Sequence, residues 1–259
     1  MPFVETKIEG LVGTICLDHL EKRNALCAAL ADDIMKSLED FIGNRVRAVV
    51  LRARPGVKIW SAGHDVDELP AGRRDPLGWL DPLRRLVRAI ENHPAPVIAM
   101  IEGGVWGGAC EAAMACDIIV AAPNATFALT PAKLGVPYDV AGMLTFLNSA
   151  PIRLIKEMAF TAKPISAARA LAAGLVNHLV PPEELEPFTY ALAGDIVANA
   201  PLSISVMKEE LRILAGAHPM SPQGWERIQG LRRVVYDSAD YIEGLKAFKE
   251  KRKPVYRGE

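Results

Sequence analysis

No charge of one sign prevails in the 259-residue sequence, where 30 lysines and arginines face 31 aspartates and glutamates for a net charge of -1. Without a basic excess to neutralise phosphates, a non-specific nucleic-acid binder is excluded and no nucleic-acid partner is expected. Cysteine is scarce as well. The four residues Cys16, Cys27, Cys110 and Cys116 contain no CxxC pair, which removes the usual zinc spacing and a disulfide framework. Five histidines, His19, His64, His93, His178 and His218, sit apart in the sequence, and no metal is expected. Long apolar runs are missing too: the richest stretch, 97–122, is broken by Glu102, Glu111 and Asp117, short of the roughly 18 residues a membrane span needs. The opening MPFVETKIEG has neither a basic nor an apolar leader region, so a cytoplasmic protein with free thiols and no membrane partner is expected. GxxxxGK[ST], GxGxxG, GxSxG and HExxH are absent, and phosphoryl, hydride and serine-ester chemistry lose their usual signatures.

What remains is a chain with 50% hydrophobic and 24% charged residues, ample for a large core. Phe3–Ile8 and Val12–Leu17 read as a hairpin around Gly10. A helix with Leu26, Leu30, Ile34, Leu38 and Phe41 at helical spacing follows, with Asn24 as its expected cap. Residues 48–51 and 97–101 read as buried strands, Asp81-Pro82 as a helix start, and Leu175–Val180 as a late strand. Helices dominate the rest. The expected class is α/β, with a core over 1–190 and a helical C-terminal subdomain over 191–259.

Two stretches can bring backbone amides together. Ser61-Ala62-Gly63-His64-Asp65 follows a strand with small residues, and Gly103-Gly104-Val105-Trp106-Gly107-Gly108 runs into a helix near Gly108, whose first N–H groups lack partners. Such a pair suits an anion or a developing oxyanion.

The order and spacing of EKRNAL at 21–26, SAGHD at 61–65, GGVWGGACEAAMACDIIVAA at 103–122, LGVPY at 134–138 and the segment 165–180 resemble the crotonase (enoyl-CoA hydratase/isomerase) superfamily over nearly the whole chain. The resemblance implies a spiral of ββα turns, a helical C-terminal region that builds a homo-trimer or hexamer, and an acyl-CoA substrate with no further cofactor. It also implies that the amides of His64 and Gly108, rather than the His64 imidazole, hold the thioester oxygen. Hydratases of the family use two glutamates. Glu111 matches the first, while Pro131 with Thr130 beside it stands where the second belongs, so water addition lacks its second base.

Loss of CO₂ from a malonyl-type thioester needs no base, because it generates the enolate directly. Decarboxylation of a malonyl-type thioester is therefore expected, the residues leaving methylmalonyl, malonyl and ethylmalonyl open and the resemblance implying methylmalonyl-CoA to propionyl-CoA; the alternatives are an enoyl-CoA hydratase or isomerase and a non-catalytic acyl-CoA-binding homologue. Tyr138, in the proline-stiffened Gly135-Val136-Pro137-Tyr138 loop, is the expected donor to the departing carboxylate. His64, Gly108, Tyr138 and Glu111 are the catalytic candidates. Substrate contacts are expected at Lys22, Arg23, Ala62, Thr130 and Pro131, with the basic run 246–253 and Phe248 reaching a neighbouring subunit's CoA.

Overall fold

The computed structural model describes residues 2–70, 72, 75 and 77–259. The chain opens with the hairpin β1 (Val4–Glu9) and β2 (Val12–Leu17), turning at Gly10 with φ +59°, a left-handed conformation glycine adopts at little cost. After α1 (Ala28–Gly43), strands come in pairs followed by a helix: β3 (Ala48–Ala53) and β4 (Ile59–Ser61) before α2 (Pro82–Asn92), β5 (Val97–Ile101) and β6 (Gly104–Trp106) before α3 (Gly108–Met114), β7 (Ile118–Ala121) and β8 (Thr126–Ala128) before α4 (Val140–Ser149). The first strand of each pair enters one sheet and the second enters another. The large sheet has the order β1-β2-β3-β5-β7-β10, and the small one β4-β6-β8-β9, with β9 (Ile165–Ser166) and β10 (His178–Leu179) closing the two edges. Apart from the β1–β2 and β8–β9 pairs, the strands run parallel. This is the expected spiral of ββα turns.

Hydrophobic burial explains the layering. β3 and β5 are buried along their whole lengths, as parallel strands covered on both faces must be. One core holds Leu30, Leu86, Ile101, Val105 and Phe127. On the far face of the large sheet, Val50, Ile98, Met100 and Val120 pack under Leu185 and Ala193 of α7 (Pro182–Val197). Position 190 lies inside this sheet-covering helix, and three further helices follow it, α8 (Pro201–Ala215), α9 (Pro222–Asp237) and α10 (Ala239–Lys249). α8 is pinned to the core through Lys208, whose Nζ lies 2.8 Å from Asp117 Oδ2 and 3.1 Å from the Ile90 carbonyl. α5 (Ile152–Thr161) and α6 (Ala167–Ala172) complete the element order. No single helix among the described residues is long and apolar enough to cross a membrane.

Two local expectations change. The late strand is only His178–Leu179, and Asn24 does not cap α1, whose cap is Cys27 without a side-chain bond. Asn24 is instead fully buried with φ +52°, a region asparagine tolerates better than most residues. Its Nδ2 donates to the Trp60 carbonyl at 2.9 Å, its Oδ1 accepts from the His19 N–H at 2.9 Å, and its own carbonyl accepts from Ser61 Oγ at 2.6 Å. The residue clamps the 20–26 loop to β4, ahead of His64. Asn24→Ala leaves two buried groups unpaired and is expected to cost about 3 kcal/mol in urea unfolding, of which Asn24→Gly should regain at most about 1 kcal/mol through relief of the backbone alone. An Asn24→Ala protein as stable as wild type would remove the clamp from the account.

Candidate active site

Strand alternation sets the first amide free. The Gly63 carbonyl accepts from Leu26 N–H at 2.7 Å and the Asp65 N–H donates to the Leu26 carbonyl at 3.2 Å, so the intervening His64 N–H points the other way. The second comes from a helix start. The Gly107 N–H donates to the Ala128 carbonyl at 2.8 Å, and Gly108, first residue of α3, has no intrahelical acceptor within reach. Neither the His64 nor the Gly108 N–H meets an acceptor among the described residues.

Glycine brings the two together. Gly63 has φ +90°, and a Cβ on it would stand 2.3 Å from the Trp106 carbonyl oxygen and 3.0 Å from the Gly108 nitrogen. A Cβ on Gly108 would lie 3.3 Å from the His64 nitrogen. The two amides are thus neighbours because neither segment carries a side chain between them.

They border a pocket of about 610 Å³. Of the residues singled out in the sequence, Lys22, Arg23, Ala62, His64, Gly108, Thr130, Pro131 and Tyr138 line it. Tyr138 is buried, its ring set edge-on to Phe146 at 4.7 Å, and its hydroxyl has no partner among the described residues. Burial pushes its phenol well above the ordinary tyrosine range, so it is a neutral donor. Lys22 is held by Asp65 at 2.7 Å and Asp67 at 3.3 Å.

Glu111 is placed elsewhere. It is 0% exposed, does not line the pocket, and pairs with Arg84 of α2, which also reaches Asp139 at 3.2 Å. Asp139 caps α4 through the Gly142 N–H at 2.8 Å. The three side chains form a buried charged cluster behind the tyrosine loop.

Several wall residues escaped the sequence reading. Leu77 and Leu83 supply apolar lining, while Phe248 and Lys253 arrive from the chain's own C-terminus. The run expected to serve a neighbouring subunit therefore lines the pocket of its own chain, because α10 packs on the 131–134 turn: a Cβ on Gly244 would stand 2.3 Å from the Leu134 carbonyl oxygen. Arg252 there is taken up by Glu243 at 2.6 Å and Glu250 at 2.6 Å. The small residue at 244 was the available signal for this close approach.

With Glu111 spent on Arg84, Glu111→Gln should lower stability by about 3 kcal/mol or more through a broken buried pair, yet leave kcat/KM on the enzyme's substrate within about tenfold at a temperature where the variant is folded. The loss of a working acid or base costs about 10²- to 10⁴-fold, and a loss in that range by the folded variant would make Glu111 part of the chemistry.

The enoyl-CoA hydratase/isomerase family model matches residues 7–259. Methylmalonyl-CoA decarboxylase of Escherichia coli K12 is 51% identical over 247 residues, covering 95% of this chain and 95% of that protein. Carnitinyl-CoA dehydratase of the same strain is 34% identical over 256 residues, 96% of each. Among solved structures, methylmalonyl-CoA decarboxylase in complex with 2-nitronate-propionyl-CoA superposes with a TM-score of 0.98 at 49% identity, covering 99% of both chains. An enoyl-CoA hydratase from Mycobacterium avium subsp. paratuberculosis K-10 shares the fold at a TM-score of 0.80 and 24% identity, over 98% of both chains. With one family model running from β1 to the C-terminus and relatives matched over almost their full lengths, the chain belongs to the enoyl-CoA hydratase/isomerase family.

Proposed function

We infer that this chain is a CoA-thioester decarboxylase that converts methylmalonyl-CoA to propionyl-CoA and CO₂. The observation that carries the reading is Tyr138, a residue of the pocket that the free His64 and Gly108 amides border, whose buried hydroxyl has no partner among the described residues. The relatives support it: the decarboxylase at 51% identity, and methylmalonyl-CoA decarboxylase structures at 49% identity with 2-nitronate-propionyl-CoA and 2S-carboxypropyl-CoA.

In the reaction the bond between the α-carbon and the carboxylate breaks, and its electron pair moves into the thioester to give an enolate while CO₂ leaves. The two amides receive the growing charge on the thioester oxygen, each contributing roughly 3 kcal/mol. Tyr138 donates to the carboxylate and holds it out of the thioester plane, where the breaking bond overlaps the carbonyl π system. A neutral phenol does this without a fixed positive charge that would oppose departure. One proton taken up at the α-carbon completes propionyl-CoA. Thr130 and Pro131 line the same pocket, and so do the cationic Lys22, Arg23 and Lys253, a residue type suited to the phosphates of CoA.

Dehydration or hydration of an enoyl thioester fits less well. Glu111 is buried on Arg84, Pro131 occupies the second position, and Asp65 and Asp67 are engaged by Lys22. We read the assembly as a homo-trimer or a dimer of trimers, supported by apolar side chains left bare on α8 and α9, among them Leu202, Leu211, Leu214 and Val234. Four free thiols support placement in the reducing cytoplasm.

Tyr138→Phe removes the hydroxyl and little else. A hydrogen bond to a charged group is worth roughly 1.5–3 kcal/mol, so kcat/KM for CO₂ release from methylmalonyl-CoA should fall about 10- to 150-fold while affinity for propionyl-CoA, which lacks the carboxylate, stays close to wild type. A variant with the wild-type rate, or one that loses propionyl-CoA as strongly as substrate, would reduce Tyr138 to a packing residue.

A further inference from the structure

The imidazole of His64 is held as firmly as its amide is free. Nδ1 lies 3.0 Å from the Asp65 carbonyl oxygen and Nε2 2.9 Å from Asp81 Oδ2. Both ring nitrogens thus face acceptors, and only the imidazolium carries the two N–H groups needed to satisfy both. The other oxygen of Asp81 accepts the Leu83 N–H at 2.9 Å and caps α2. Leu83 in turn packs on the second amide: a Cβ on Gly108 would meet its Cδ2 at 2.7 Å. One carboxylate therefore ties the segment that carries the first amide to the helix that abuts the second, between positions 17 apart in the sequence.

We propose that Asp81 is a positioning residue for the oxyanion hole, gripping the His64 ring and, through its cap on α2, setting the placement of the His64 amide against that of Gly108. The inference rests on the reading that these two amides hold the thioester oxygen. It assigns the imidazole an anchoring role and no contact with the reacting atoms.

The electrostatics fit the geometry. Burial alone would lower the imidazole pKa, but the hydrogen bond and charge of Asp81, the Asp65 carbonyl and the charge of Glu68 outweigh it, and the pKa is raised. The charged groups facing the ring are Asp81 from α2, Glu68 from the 66–68 turn and, on its own loop, Asp65, whose carboxylate is paired with Lys22. Because the folded-state pKa lies above the unfolded one, the latch is complete below the ordinary imidazole range and one of its two bonds is lost as pH rises through the folded-state value. Activity should fall there to a lower plateau.

Asp81→Asn separates the latch from the cap, since asparagine caps helices as well as aspartate does but carries no charge. With burial less opposed, the ring then loses its proton at lower pH. Measured as kcat and KM for CO₂ release from methylmalonyl-CoA from mildly acidic to alkaline pH, Asp81→Asn should lose about tenfold or more in kcat on the acidic side of the wild-type fall, with a smaller change in KM. Its own fall with rising pH should move to lower pH, and its melting temperature should stay near wild type. An Asp81→Asn protein with the wild-type rate and pH profile makes Asp81 a cap alone and overturns the proposal. His64→Gln keeps a donor toward Asp81 without a titrating ring and gives an independent reading should Asp81→Asn fold poorly: a flat pH profile supports the latch, and a retained fall overturns it. If the wild-type chain releases no CO₂ at all, the functional reading falls and this inference with it, whereas wild-type turnover with an unaltered Asp81→Asn profile removes the inference only.

Discussion

Everything at the site hangs on the close approach of two stretches of bare backbone. Gly63 approaches the other segment so closely that a methyl group on it would run into the Trp106 carbonyl oxygen, while one on Gly108 would meet the Leu83 side chain and press on the His64 nitrogen. That contact brings two unrelated local events, a residue whose N–H points away from its bridge partner and the first residue of a short helix, side by side as a pair of free donors. Each donor alone is an ordinary unsatisfied N–H. Held together at a distance fixed by the surrounding core, they need no reorganisation when charge develops on a thioester oxygen, and this is what makes such pairs effective. The large sheet, Asn24 and the α2 cap all serve to keep the two segments in place.

Charge is kept from the reacting centre with equal care. Arg84 is shared between Glu111 and Asp139 behind the Tyr138 loop, and Lys22 is occupied by Asp65 and Asp67 at the rim. Tyr138 is left as a neutral phenol with an open hydrogen bond. Where the resemblance implies two glutamates in a hydratase, this chain has one carboxylate tied up in an ion pair and proline at the position matched to the other. A reaction that supplies its own electron pair by losing CO₂ suits such surroundings; one that must extract a proton does not.

Much of this was legible in the sequence where a single residue type has one physical use. Asp81-Pro82 marked the start of α2, the apolar run 97–101 marked a buried strand, and the glycines at 63, 107 and 108 marked turns where backbones could touch. What stayed hidden depended on partners distant in the chain. Asn24 carries the common signature of a helix cap, and only the folded position of Trp60 shows that its side chain is committed to β4. Arg84 reads as one more polar residue on an amphipathic helix until α3 brings Glu111 beside it. Phe248 and Lys253 belong to a helix whose docking site is set by tertiary packing, and nothing local tells which subunit's pocket they face.

The central claim is that the pocket is built for the enolate more than for the thioester that precedes or follows it. The most direct measurement compares the dissociation constants of propionyl-CoA and of 2-nitronate-propionyl-CoA, which places a negative charge where the enolate develops, on the wild-type chain. Groups that act only on the charged state should hold the nitronate about 10²-fold or more tighter than the neutral thioester. Equal affinities would show that the two amides and Tyr138 recognise the CoA ligand without discriminating the state in which CO₂ is lost, and the account of the mechanism would be wrong.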